Sequence, residues 1–148
     1  MIDSIQAAGD PSLGTTLAAE HVRLRLAFAD MTSRAESGDY RLCDDSWDTL
    51  AADLERHFCF EEAELFPRFA ESSAAAGDEV ARLSSEHHAL RQRAFELGVG
   101  LQTRSMRSDD VRAFLADLER HAAREDTMLY PWASATFGAR RPVCELEE

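Results

Sequence analysis

Two stretches of this chain repeat one another at a constant offset of 64 residues. Leu54, Glu55, Arg56 and His57 recur as Leu118, Glu119, Arg120 and His121. Glu61 recurs as Glu125, and Leu65, Phe66 and Pro67 as Leu129, Tyr130 and Pro131. A second pair, Glu20, His21, Leu24 and Arg25 against Glu86, His87, Leu90 and Arg91, repeats at an offset of 66. Each half-chain therefore carries the same two polar-in-apolar motifs in the same order. The repeat reads as two helical hairpins packed about a pseudo-twofold axis.

Hydrophobic periodicity supplies the helices. Small and polar residues interrupt the chain around Glu36 to Asp39, from Ser72 and Ser73 through Gly77 and Asp78, and from Thr103 to Ser108. The four segments between them space apolar residues three and four apart, and none alternates like a strand. The stripes run Leu17, His21, Leu24, Phe28, Met31; Trp47, Leu50, Leu54, His57, Glu61, Leu65; Val80, Leu83, His87, Leu90, Ala94, Leu97, Leu101; and Val111, Phe114, Leu118, His121, Glu125, Met128. Asp44, Asp45 and Ser46 precede the second helix, and Ser108, Asp109 and Asp110 open the fourth. Pro67 and Pro131 each remove an amide donor and crowd the preceding turn, so each predicts a helix end or kink. The expected fold is all-α: an up-down-up-down four-helix bundle with a metal site in its core.

At 148 residues the chain fits one domain, with a core over about 12–133 and a loosely ordered tail over 137–148. A net charge of -12, with acids and bases interspersed, argues against nucleic acid or an anionic membrane as partner. No stretch approaches the roughly 18 apolar residues of a membrane span. Cys43, Cys59 and Cys144 have no paired spacing, and no leader pattern opens the chain, so reduced thiols and a cytoplasmic location are expected.

Each stripe holds a polar intruder, and these carry the chemistry. Residues four apart on a helix differ by about 40° in direction and about 6 Å in height, so His57 with Glu61, and His121 with Glu125, project together. Counting residues from each connection puts His21, His57, His87 and His121 at one level, one per helix. Burying two carboxylates and four imidazoles costs several kcal/mol per unpaired charge, a cost that two cations offset directly. Imidazole and carboxylate suit iron, manganese or zinc, and two glutamates among four histidines suggest carboxylates bridging two metals. Two octahedral ions have about 12 positions; these six residues and one bridging oxygen fill about ten, leaving room for a small ligand.

Other residues have plainer readings. A lone histidine in an apolar stripe is usually a hydrogen-bonded core residue; four at matched heights are what changes the weighting. His88 falls outside stripe and repeat and is expected at the surface. Glu62 and Asp126 each follow a proposed carboxylate and read as a solvated face, with Asp126 an alternative to Glu125. Arg25 and Arg91 stand four residues after His21 and His87; a surface ion pair is favoured over guarding the site. Tyr130, Trp47 and Trp132 read as packing, as does Cys59, which faces away from its neighbours His57 and Glu61.

These motifs resemble hemerythrin-like proteins, the HHE cation-binding domains, over nearly the whole chain. The family pattern is a lone histidine on the first and third helices and His-x-x-x-Glu on the second and fourth. Here it falls on His21, His87, His57 with Glu61, and His121 with Glu125. The resemblance implies a non-haem di-iron centre with an oxo or hydroxo bridge, used for oxygen binding or sensing, iron handling, or responses to peroxide or nitric oxide. Oxygen-carrying members have a fifth histidine four residues after the third-helix one, and Arg91 stands there instead. The four-histidine, two-glutamate set looks closer to relatives linked to nitrosative stress, iron-centre repair or peroxide decomposition. A ferritin-like bundle needs Glu-x-x-His, and Ala18, Leu54, Ser84 and Leu118 hold the required positions.

The leading expectation is a di-iron protein that binds or senses a small ligand such as dioxygen or nitric oxide. The alternatives are a di-iron enzyme decomposing peroxide or nitric oxide, a zinc or manganese protein, and a metal-free bundle whose buried polar groups set register. Oligomeric state is not specified.

Overall fold

Ser12 opens the first helix with its hydroxyl oxygen, which accepts from Thr15 N, and the chain then runs through four long helical segments without a strand among the described residues. The computed structural model describes residues 10–39 and 43–140. Helix α1 spans Leu13–Glu36, α2 Cys43–Phe60, α3 Phe66–Ser72, α4 Ala74–Gln102, α5 Ser108–Thr127 and α6 Leu129–Phe137. A π-helical segment, Glu61–Leu65, joins α2 to α3, so these three elements form one continuous rod. Helix α1 packs against α2 and α5, and α4 packs against the same two, giving the square of a four-helix bundle.

Each proline follows a disturbance of the regular helix and lies in the first turn of the helix after it, so neither ends a helix. Pro67 sits in the first turn of α3, where a missing amide is tolerated, and the π segment preceding it is closed by Phe66 N–H donating to Glu61 O. At the repeat partner, Met128 interrupts the helix (φ -123°, ψ -50°), and Pro131 lies in the first turn of α6. The middle break is tighter than the sequence predicts. Ser73 alone separates α3 from α4, its hydroxyl accepting from Ala76 N, and Gly77 and Asp78 lie inside α4. Asp44, Asp45 and Ser46 lie within α2 and not before it, and Arg107 takes the N-cap position of α5, with Asp109 and Asp110 in its first turn. The tail from 141 onward lies outside the described residues, as does any statement on Cys144.

Two apolar clusters fill the bundle. One gathers Phe28, Trp47, Leu54, Phe58, Leu90, Leu97, Phe114 and Leu118; the other gathers Leu13, Leu17, Leu65, Phe66, Phe69, Leu83, Leu129 and Tyr130. Between them, in sequence and in space, lie the histidines. Gly14 permits the closest approach of α1 to α6: a Cβ there would meet Tyr130 O and Ser134 Oγ at 2.5 Å. Leu13 N to Gly138 O (2.6 Å) and Gly14 N to Ser134 Oγ (2.9 Å) complete that clamp. It holds the start of α6, and Tyr130 with it, against α1.

Candidate metal centre

His21 on α1, His57 on α2, His87 on α4 and His121 on α5 are all buried, as are Glu61 and Glu125, which are fully excluded from solvent. All six sequence-predicted site residues meet in the layer between the two apolar clusters. They form two groups: His21, His57, Glu61 and Glu125, and His87, His121, Glu61 and Glu125, with donor atoms in each group within 4.8 Å of one another. Both carboxylates belong to both groups. The α1–α2 hairpin supplies one pair of imidazoles and the α4–α5 hairpin the other. Glu61 reaches across to His87 Nε2 (3.1 Å) and Glu125 to His21 Nε2 (3.0 Å).

Helical spacing puts each glutamate beside its own histidine too: His57 Nε2 to Glu61 Oε2 and His121 Nε2 to Glu125 Oε2 are both 3.2 Å. Donors sharing one octahedral ion through bonds of about 2.1 Å stand about 3.0 Å apart; five neighbouring pairs here stand 2.9–3.2 Å apart, and His87 Nε2 to Glu125 Oε2 is 3.6 Å. Four inward atoms, Glu61 Oε1, Glu125 Oε2, His87 Nε2 and His121 Nε2, are buried without a hydrogen bond. Groups this close but misaligned for hydrogen bonding would be costly to bury unless a cation lay between them, so the residues fit a bound metal.

The outer nitrogens are held by a ring of carboxylates. His57 Nδ1 lies 2.9 Å from Glu20 Oε1, His121 Nδ1 2.8 Å from Glu86 Oε1, and His87 Nδ1 2.7 Å from Glu62 Oε2. An Nδ1–H donated outward leaves the Nε2 lone pair facing inward, the tautomer a ligand requires. Arg91 braces this ring by donating to both Glu62 and Glu55, and Arg124 donates to Glu86. His21 is the exception, since its buried Nδ1 has no hydrogen-bond partner.

The protein's own groups also shift one another's protonation. Burial would lower the histidine pKa values, but neighbouring carboxylates outweigh it: Glu61 and Glu20 hold His57 up to about 10, and Glu125 and Glu61 hold His87 up to about 9. His121 is raised in the same way, chiefly by Glu125. Burial would raise Glu125, yet the close imidazoles of His121, His21 and His87 hold it well below the usual carboxylate range. Burial, reinforced by Glu61 and Glu125, pushes the Tyr130 phenol well above its ordinary value.

Several expectations need correction. Tyr130 is not simply packing, because its hydroxyl donates to Glu61 Oε2 at 2.6 Å and lies 2.9 Å from His21 Nε2. Glu62 is not a plain solvated face, and Arg91 is not merely a surface pair, because together they back His87. Cys59 is exposed, with its thiol 3.1 Å from Glu55 Oε2, and packs into no core. His88 is exposed as expected, and Asp126 is exposed while Glu125 is buried in the cluster. One signal pointed to Tyr130: the repeat places it opposite Phe66, so one half gains a hydroxyl that the other lacks. The pairing of Glu20 with Glu86 in the second repeat similarly foreshadowed the outer carboxylates.

A buried layer of imidazoles and shared carboxylates inside a four-helix bundle defines a metal-binding protein. The family model for the hemerythrin HHE cation binding domain matches residues 13–133, and the chain belongs to that family. No curated protein and no solved structure matches the chain. Among the described residues, no helix is long and apolar enough to cross a membrane.

Proposed function

We propose that the chain is a single-domain, cytoplasmic di-iron protein that binds or senses a small ligand such as dioxygen or nitric oxide. The metal ligands are His21, His57, Glu61, His87, His121 and Glu125. The observation that carries this reading is the sharing of both carboxylates between two pairs of imidazoles, an arrangement suited to two adjacent ions. Nitrogen and oxygen donors without cysteine favour iron, manganese or zinc, and the family resemblance favours iron among them. Iron in such a site would supply redox-active Lewis acidity and open coordination positions.

The chain's own residues set the conditions. Glu20, Glu62 and Glu86 fix the imidazole tautomers, and the apolar layers above and below limit water. Phe58 stacks on His87 with ring centroids 3.9 Å apart and walls that half of the site. The outer carboxylates can accept the protons that the histidines release when a metal binds.

The test is to purify the protein from iron-replete cells, count metals per chain, and follow the visible spectrum as dioxygen, peroxide and nitric oxide are added in turn. Two irons and a stable adduct support binding or sensing. Adducts that decay with steady consumption assign the site to an enzyme instead, and zinc alone or no metal sinks the iron reading.

A further inference from the structure

The two halves of the site share Glu61 and Glu125 and each adds two imidazoles, but they differ in one oxygen. The Tyr130 hydroxyl lies 2.6 Å from Glu61 Oε2, 2.9 Å from His21 Nε2, 3.1 Å from Glu125 Oε1 and 3.2 Å from His57 Nε2. Those four atoms also stand close to one another in succession: Glu61 Oε2 to His57 Nε2 is 3.2 Å, His57 Nε2 to His21 Nε2 is 2.9 Å, and His21 Nε2 to Glu125 Oε1 is 3.0 Å.

The phenol oxygen thus lies within 3.2 Å of a donor atom of all four residues of the His21–His57 group, close enough to join them on one ion. At the matching position of the repeat Phe66 stacks on His87, with ring centroids 5.1 Å apart, and offers no donor atom. The orphaned atoms agree with this asymmetry. All four inward atoms of the His87–His121 group lack a hydrogen bond, whereas Tyr130 satisfies the facing oxygens of the other group.

We propose that Tyr130 is a fifth protein ligand of the ion held by His21 and His57, which directs the exogenous ligand to the ion held by His87 and His121. This rests on the two-metal reading above. On coordination the phenol O–H bond breaks, its proton leaves to solvent, and the oxygen pair forms the bond to the ion, with no change in oxidation state. One half thus offers five protein donors and the other four.

The test is resonance Raman spectroscopy of the iron-loaded full chain. Ring modes of a coordinated phenolate are expected in the wild type and in Tyr40→Phe, which removes the other of the two tyrosines in the sequence. Their loss is expected in Tyr130→Phe, with the metal count and far-ultraviolet circular dichroism retained. Phenylalanine already stands at the repeat position, which makes that variant a mild one. Two irons without phenolate modes, or modes that survive Tyr130→Phe, overturn the proposal and leave the di-iron reading intact. If the protein holds zinc in place of iron, zinc titration followed by ultraviolet difference absorption decides the question. A phenolate signal confined to chains containing Tyr130 supports ligation although iron is wrong, and no signal overturns it. A chain that takes up no metal overturns both.

Discussion

Arg91 donates from Nη1 to Glu62 Oε2 at 2.8 Å, and the same carboxylate oxygen takes the Nδ1–H of His87 at 2.7 Å. One turn of α4 therefore carries both an imidazole and the guanidinium that steadies its acceptor. Arg91 stands where the resemblance to oxygen carriers leads one to expect a fifth histidine, and here it braces the outer carboxylates. Replacing Glu62 by Ala should lower metal affinity about 10- to 100-fold, the usual cost of removing a carboxylate behind a ligating histidine. Arg91→Ala should cost less, because Glu62 stays within reach of His87. Competition against a chromophoric chelator measures both, and unchanged affinity in Glu62→Ala would show that the contact is incidental.

Metal removal should make stability depend on alkaline pH. His57 and His87 sit at about 10 and about 9 among the protein's own groups, above the unfolded value of about 6.5. Protons bound there stabilise the fold fully below about pH 6.5, and that contribution is lost as pH rises through 9 to 10. The melting temperature of chelator-stripped protein should fall across that window, while the metal-loaded protein changes less. Metal uptake near neutral pH should also acidify a weakly buffered solution. A stripped protein with a flat profile from pH 7 to 10 would contradict the assignment.

Glu61 and Glu125 each touch both pairs of imidazoles, so neither Glu61→Ala nor Glu125→Ala should spare one ion and lose the other. Metal analysis of each variant should show both ions depleted, with His88→Ala as the unaffected control. Retention of one full equivalent in either variant would show that its carboxylate serves a single ion.

At Gly14 an added methyl would meet the Tyr130 carbonyl oxygen, a backbone atom, at 2.5 Å. Gly14→Ala should destabilise the fold by about 1–3 kcal/mol through overpacking and displace α6 from α1. Denaturant unfolding reads the first effect. The second should weaken the Tyr130 contacts, visible as altered tyrosine fluorescence or a changed metal spectrum. A variant matching the wild type in both would mean that the helices adjust freely.

The layer of histidines and glutamates was legible because helical geometry is strict. Equal residue counts from each connection to His21, His57, His87 and His121 fix their heights, and a spacing of four fixes the direction of Glu61 and Glu125. What encloses that layer was less legible, since it depends on rotamers that spacing does not set. Glu62 follows Glu61 by one position and so points away from it. Only the packing of α2 against α4 shows that this direction leads to His87. Tyr130 was read as bulk because an aromatic residue at a bundle end is ordinarily bulk. Its hydroxyl reaches the site through the break at Met128 and the clamp at Gly14, both backbone events. The π segment at Glu61–Leu65 was likewise foreshadowed only by Pro67, which signals a disturbance without naming its kind.

Each hairpin brings two imidazoles of its own but leans on a carboxylate from the other, Glu61 toward His87 and Glu125 toward His21. An ion bound by these residues would thereby be tied into both hairpins at once. Loosening a single helix would leave the crossing carboxylate in place on the opposite side. On that reading the residence time of the metal follows how often the two hairpins part.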